Sequence, residues 1–306
     1  MTVTTKRVLI TGASAGIGRD AARTCAKLGF DVYAGARRTL ALEALKAEVG
    51  DRLHPIALDV NDASSIERAR ALILERTGGY GVDGVVNNAG IAVAGLLAEV
   101  TDVDMRAQFE TNVFGLMAVT RAFLPEMMAR RSGRIVNVSS SGGLVSLPFV
   151  GVYHATKFAV EALSDALRWE LHPFDVRVSV IEPGPIRTEF GDKLVASTDR
   201  VLPGSPYAPI FLDIDRMKAF AESQMSGPEV VTRDIVHALT SRWPRARYLE
   251  PRALILLIKL YQLTPTWLSD WVITRVTGLT PRGLFGPRTE RPRETTASPR
   301  ASDGKP

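Results

Sequence analysis

Tyr153 and Lys157 stand four residues apart in "YHATK", at the head of a segment, FAVEALSDALRWEL, with helical periodicity. On a helix that spacing places a phenol and an ammonium on one face, one turn apart. Free tyrosine, with a pKa of about 10, is a poor base at neutral pH. A neighbouring ammonium favours the phenolate and lowers that pKa. The pair can then give a proton to a forming alkoxide or take one from an alcohol. An amphipathic helix produces the same spacing by coincidence, so the assignment needs support from elsewhere in the chain.

A second group of residues lies in "VLITGASAGIGRDAARTCAKLGF", where Gly12, Gly16 and Gly18 separate an apolar run from a helical pattern. Glycines let a backbone turn tightly and approach a pyrophosphate, and the helix N-terminus adds N–H donors and a positive dipole end. The spacing is G-x-x-x-G-x-G, and its place in a βαβ unit points to dinucleotide binding. The cofactor's adenosine ribose is then read near Ala36 and Arg37. A carboxylate there would bond the 2′-hydroxyl, but the chain has "AGARRTLALEAL". The Arg37 guanidinium suits a 2′-phosphate, so NADP(H) is expected over NAD(H). The other reading is that Arg37 and Arg38 solvate a helix start.

The elements that must position these residues alternate along the chain. Short β-branched runs at 8–10, 32–35, 53–58, 84–90, 134–140 and 176–184 read as strands. Helix-length segments at 16–28, 62–76, 103–130 and 153–171 lie between them. Nearly continuous apolar strands separated by helices predict an α/β fold, a doubly wound parallel sheet of the Rossmann type. A helix over 228–241 and a strand near 247–249 complete a single domain, 1–250. Within it, Pro and Gly punctuate 191–227, with a short helix expected over 213–225. That insertion reads as a substrate lid, the alternative being a surface excursion.

Beyond the domain, "PRALILLIKLYQLTPTWLSDWVITRVTGL" (251–279) predicts two short apolar helices broken at Thr264-Pro265. Lys259, Pro265 and Asp270 interrupt it, and neither half approaches the roughly 20 apolar residues of a membrane span. Leu256, Leu257, Leu260 and Leu263 form one apolar stripe, and Trp267, Leu268, Trp271 and Val272 another. The stripes require a covering surface. A cap over the substrate mouth is favoured, with a second subunit or peripheral contact with a bilayer as alternatives. The last stretch, 281–306, is rich in Pro, Arg, Ser and Thr and is expected to be disordered.

The 306 residues carry 38 Lys/Arg and 33 Asp/Glu, a net +5, with 45% hydrophobic residues, enough for a sizeable core. Six basic and three acidic residues fall in 281–306, so the body is near neutral and shows no footprint for nucleic acid. The lone cysteine, Cys25, excludes an intramolecular disulfide and reads as a small buried helix residue. His54, His154, His172 and His237 lack metal-ligand spacing, so no metal is expected. His154 is expected on the helix surface. "KRVLITGAS" from residue 6 reads as a core strand and loop, not a signal peptide, so a cytoplasmic location is expected.

Taken together, "TGASAGIG" (11–18), "LDV" (58–60), "NNAG" (87–90), Asn112 in "ETNVFG", "VSSSGGLVSLPFVGVYHATK" (138–157) and "EPGPIRT" (182–188) make the chain resemble the short-chain dehydrogenase/reductase family. The resemblance implies hydride transfer between NADP(H) and a ketone or secondary alcohol. The substrate expected is a small hydrophobic molecule, with steroid-, retinoid- or lipid-like carbonyls among the candidates. It implies Tyr153 as acid/base and Lys157 as its partner, reaching the nicotinamide ribose. Ser140, thirteen residues before the tyrosine, would polarise the carbonyl. Ser139 and Ser141 are rivals, which strand alternation would point to the opposite side. Asn112 would hold a water in a proton relay to Lys157. Gly12, Ser14, Gly16, Ile17 and Gly18 would bind the phosphates, Arg37 the ribose end, and Asp59 and Val60 the adenine. Asn87, Ala89 and Gly90 would lie beside the adenosine ribose. Pro183, Gly184, Ile186 and Thr188 would flank the nicotinamide, with Thr188 bonding its carboxamide. The resemblance also allows a homo-oligomer through long helices. Two other readings stay open. One is a non-catalytic redox sensor, expected to lack Tyr153 or Lys157. The other is a lyase or epimerase on the same fold, whose usual C-terminal sugar domain has no counterpart here.

Overall fold

The computed structural model describes residues 6–191, 204–208 and 225–285. Seven parallel strands form one sheet in the order β3-β2-β1-β4-β5-β6-β7. They are β1 (Arg7–Thr11), β2 (Asp31–Ala36), β3 (Leu53–Ala57), β4 (Gly84–Asn87), β5 (Gly133–Val138), β6 (Val176–Pro183) and β7 (Arg247–Glu250). Strand alternation divides the core between the two faces. Val8 and Ile10 of β1 face one side, with Ala22 and Cys25 of α1 (Gly16–Lys27), Leu42 of α2 (Leu40–Val49) and Ile235 of a later helix over 229–240. Leu9 faces the other, with Ile73 of α3 (Ala63–Arg76) and Val119 and Phe123 of a helix over 116–129. Fully burying side chains of this size stabilises by about 1.5–3 kcal/mol each, so both faces must stay covered. The Cys25 thiol, fully buried as expected, is pushed up to about 12 by desolvation.

The expected helix over 103–130 is continuous but not uniform. It comprises α4 (Asp102–Phe109), a π-helical turn (Glu110–Gly115) and α5 (Leu116–Ala129). Thr101 caps its start by accepting from Asp104 N–H, and Asp62 caps α3 by accepting from Ser64 N–H. α6 (Gly151–Glu170) carries Tyr153 and Lys157, and α7 (Glu229–Thr240) leads into β7.

Two short helices follow, α8 (Ala253–Leu263) and α9 (Thr266–Val276), broken at Thr264-Pro265 as the sequence predicts. The stripe picked out on α8 is not covered, however: Leu256, Leu257, Leu260 and Leu263 are all exposed. The covered face is the other one, where Ile258 is buried, Leu254 packs against Gly184, and the Gln262 amide donates to the Leu144 carbonyl. The first residues of the expected disordered tail form a helix, α10 (Pro281–Phe285). Residues 286–306, and all of the expected 213–225 helix but Met225, lie outside the described residues. Among those described, no helix is long and apolar enough to cross a membrane.

Candidate active site

The sheet order reverses between β1 and β4, and such a switch point opens a crevice at the carboxyl ends of the strands. The glycine loop leaves β1 there. Gly12 sits at φ +65°, a backbone geometry that favours glycine. A Cβ on Gly18 would lie 2.4 Å from both Asn88 Nδ2 and Gly12 O. Asn88 and Thr11 hold this packing. The Asn88 amide donates to Thr11 O (3.0 Å) and Gly12 O (3.2 Å), and Thr11 Oγ1 accepts from the N–H groups of Asn88 and Ala89. α1 begins at Gly16, its N-cap Ala15 offering no side-chain bond, and has no acidic residue in its first turn. Its orphan N–H groups therefore suit a phosphate, and Ser14, Gly16 and Ile17 line that start.

The other expected cofactor contacts sort themselves by side-chain direction. Arg37 and Arg38 are exposed just past β2, with no ion pair to a carboxylate among the described residues. Asp59 turns the chain after β3, its carboxylate accepting from Asn61 N–H at 3.0 Å, and Val60 follows, buried. Asn87 differs from expectation. Its side chain points into the core, donating to Thr120 Oγ1 (2.8 Å) and Asn137 Oδ1 (2.9 Å), so only its backbone faces the crevice end. Beyond it, β4 ends and Ala89 and Gly90 lie along the glycine loop and the π turn. Across the crevice, Thr188 packs over Gly16, Gly184 N–H donates to Glu250 O, and Ile186 pairs with Ser226.

Tyr153 and Lys157 are both buried on α6. The Ser140 hydroxyl donates to the Pro183 carbonyl at 3.4 Å and lies near enough to the Tyr153 phenol to favour its ionised form. β5 ends at Val138, so strand alternation does not govern the three serines; Ser140 instead caps a 3₁₀ turn (Ser141–Gly143) by accepting from Gly142 N–H. Ser139 is buried toward Glu161, and Ser141 opens the 3₁₀ turn. The Lys157 ammonium donates to Val138 O at 2.9 Å. Burial pushes Tyr153 up to about 12, and the nearby Ser140 hydroxyl only partly offsets it. Burial likewise pushes Lys157 down to about 8, with Glu161 opposing. The expected lowering of the phenol is thus not met in this site, where desolvation dominates.

Asn112 lies in the π turn and is 1% exposed. Its amide donates to Ile91 O (2.8 Å) and Thr156 Oγ1 (3.0 Å), and its Oδ1 accepts from Ile91 N–H (2.8 Å). The side chain therefore ties the segment after β4 to α6, with both amide hydrogens committed. Single π turns of this kind recur at functional sites.

Three features escaped the sequence reading. His154 is buried, not on the helix surface, because its Nδ1 accepts from Leu147 N–H at 3.0 Å and so pins the 144–150 loop; burial pushes the ring down to about 4. The Phe190 ring lies tilted against the Tyr153 ring, their centres 5.7 Å apart. Glu161, one turn beyond Lys157, joins Glu182 and Asp165 around Arg247. The Phe190 contact leaves no trace in sequence periodicity. Glu161 sits at i+4 from Lys157, a signal that a strict i, i+4 count would have exposed, whereas the burial of His154 comes from a loop contact with no local signal.

The sequence pattern of the short chain dehydrogenases matches residues 6–199. This chain belongs to that family. It is 37% identical to dehydrogenase/reductase SDR family member 9 of Bos taurus, covering 80% of each chain. It is 36% identical to 17-beta-hydroxysteroid dehydrogenase type 6 of Rattus norvegicus, covering 79% of this chain and 80% of that one. A short-chain dehydrogenase structure from Streptomyces avermitilis superposes with TM-score 0.74 at 34% identity, over 90% of this chain and 100% of that one. A serine dehydrogenase complexed with NADP+ superposes with TM-score 0.68 at 31% identity, over 79% and 93%. The protein is accordingly an oxidoreductase with the family's doubly wound sheet.

Proposed function

We propose that this dehydrogenase transfers hydride between NADP(H) and an apolar ketone or secondary alcohol. The observation that carries the reading is the convergence of Ser140, Tyr153 and Lys157 at the end of the crevice that the glycine loop opens. NADPH, when bound, supplies the hydride. The Ser140 hydroxyl holds the carbonyl oxygen, and Tyr153, a neutral phenol at pH 7, gives its proton to that oxygen as charge develops. Lys157 stays charged below about 8 and stabilises the phenolate left behind. A relay water at Asn112 would donate to its backbone carbonyl or to the remaining lone pair of Oδ1, since both amide hydrogens are committed.

NADP(H) is supported by Arg37, which is exposed at the ribose end, and by the absence of a carboxylate after β2. An apolar substrate is supported by Phe190 against the catalytic phenol and by the steroid named for a relative. Residues 192–203 and 209–224, which include most of the expected lid, lie outside the described residues. The test is oxidation of NADPH and NADH by a carbonyl panel running from apolar ketones to small polar ones, with NADP+ and serine as the reverse, polar arm. Turnover of apolar ketones with NADPH supports the reading. Turnover of the polar arm alone rejects the substrate class, and no turnover of any carbonyl with either nucleotide rejects the catalytic reading.

A further inference from the structure

The face of α8 and α9 that points away from the domain is apolar and bare. Leu256, Leu257, Leu260 and Leu263 on α8, and Trp267 and Trp271 on α9, are between 54% and 83% exposed. Monomeric soluble proteins seldom leave so many large side chains together in water. In the sequence, the net charge of the chain falls in the segment that carries and follows this face. Residues 1–250 hold 29 basic and 29 acidic residues, whereas 251–306 hold nine basic and four acidic. The entire net charge of +5 therefore lies in the C-terminal segment. On α8 and α9 themselves Lys259 and Arg275 stand against a single acidic residue, Asp270, with Arg252, ion-paired to Glu250, just before α8 and Arg282 on α10.

Those two properties decide between occupants. A second copy docked face to face would bring cation against cation, and subunit interface centres are poor in charge. A bilayer satisfies both properties, with hydrocarbon for the leucines and anionic headgroups for the cations. Indoles prefer the boundary between the two. The Arg275 guanidinium lies 4.7 Å from the centre of the Trp271 ring, placing a cation at the edge of the apolar surface. Lys259 sits among the leucines on a stem long enough to reach headgroups.

We propose that α8 and α9 form a docking face for an anionic lipid surface. The inner side of α8 fixes that face to the site: Leu254 packs on Gly184 in the nicotinamide-side loop, and Gln262 bonds the Leu144 carbonyl at the mouth. A membrane-dissolved apolar molecule would then meet the enzyme on the side where the crevice opens. The proposal does not depend on the assigned chemistry.

The test is co-sedimentation of the full chain with vesicles of mixed phosphatidylglycerol and phosphatidylcholine, against phosphatidylcholine alone. Binding should be at least tenfold weaker without the anionic lipid. In a background with Trp169→Phe and Trp243→Phe, the remaining indole emission should shift to the blue and be quenched by brominated lipid. Leu257→Ser/Leu260→Ser and Lys259→Glu/Arg275→Glu should each weaken vesicle binding at least tenfold while leaving thermal melting and NADPH binding unchanged. These positions are exposed, so the variants should fold. Failure to bind either vesicle overturns the proposal, as does binding that survives both variants. A dimer on sizing that Leu257→Ser/Leu260→Ser dissolves, without vesicle binding, assigns the face to a second copy instead.

Discussion

The Lys157 ammonium stands 5.6 Å from the centre of the Tyr153 ring. It is close enough to stabilise a phenolate, yet both groups are buried and Tyr153 is pushed up to about 12. At neutral pH the resting site therefore holds a phenol and an ammonium, the protonation state that a carbonyl reduction requires. Tyr153→Phe removes only the transferable proton. Turnover should fall by roughly 10²–10⁴-fold, the usual scale for a positioned acid, with NADPH affinity retained. Near-normal turnover in steady-state assays would remove Tyr153 from the acid role.

Glu161 lies one turn beyond Lys157 and favours its charged form. Glu161→Gln withdraws that support, so the Lys157 pKa should fall below about 8. The alkaline limb of kcat/KM for reduction, which reports the free enzyme, should move to lower pH. Arg247 keeps Glu182 and Asp165 as partners, so the fold should persist. Glu161→Asp should restore the limb. A lower melting temperature with an unmoved limb would show that Glu161 serves packing alone.

The fold was legible because its strands are apolar and regularly spaced; each expected strand appears, shortened where the chain turns out of the sheet. Those shortenings matter at the site. Asn87 ends β4 with its side chain in the core, and Asn88, one residue on, braces the glycine loop. Motif position alone could not separate these two asparagines. His154 was misjudged because helical periodicity shows which residues share a face with Tyr153, not what packs on the neighbouring face. A loop folded back over α6 buries it, and that contact joins residues whose pairing has no local signal. The reversed shift of Tyr153 has the same origin, since burial is a property of the whole packing.

Arg37→Ala tests the cofactor reading. Only NADPH carries the 2′-phosphate, and a charge-assisted hydrogen bond contributes about 1.5–3 kcal/mol, or roughly one to two decades of affinity. NADPH binding, measured by titration, should weaken by roughly ten- to a hundredfold, with NADH binding nearly unchanged. Equal losses for both nucleotides would show that Arg37 does not select between them.

His154 links the 144–150 loop to acid stability. Its folded pKa is held down to about 4 by burial, below the 6.5 of the free side chain. Between those values the unfolded chain binds the proton and the folded chain does not, so stability falls as pH drops from 6.5 toward 4 and is fully retained above 6.5. The difference is worth up to about 3 kcal/mol, of which roughly 2 kcal/mol is lost by pH 5. His154→Gln keeps an acceptor for Leu147 N–H but cannot titrate. Urea unfolding at pH 7.5 and pH 5 should therefore show a smaller acid loss in the variant than in the parent. The carboxylates around Arg247 titrate in both proteins, so their contribution cancels in the comparison. Equal losses would mean that His154 is not held neutral by its burial, and that the 144–150 loop is not pinned to α6 through its ring.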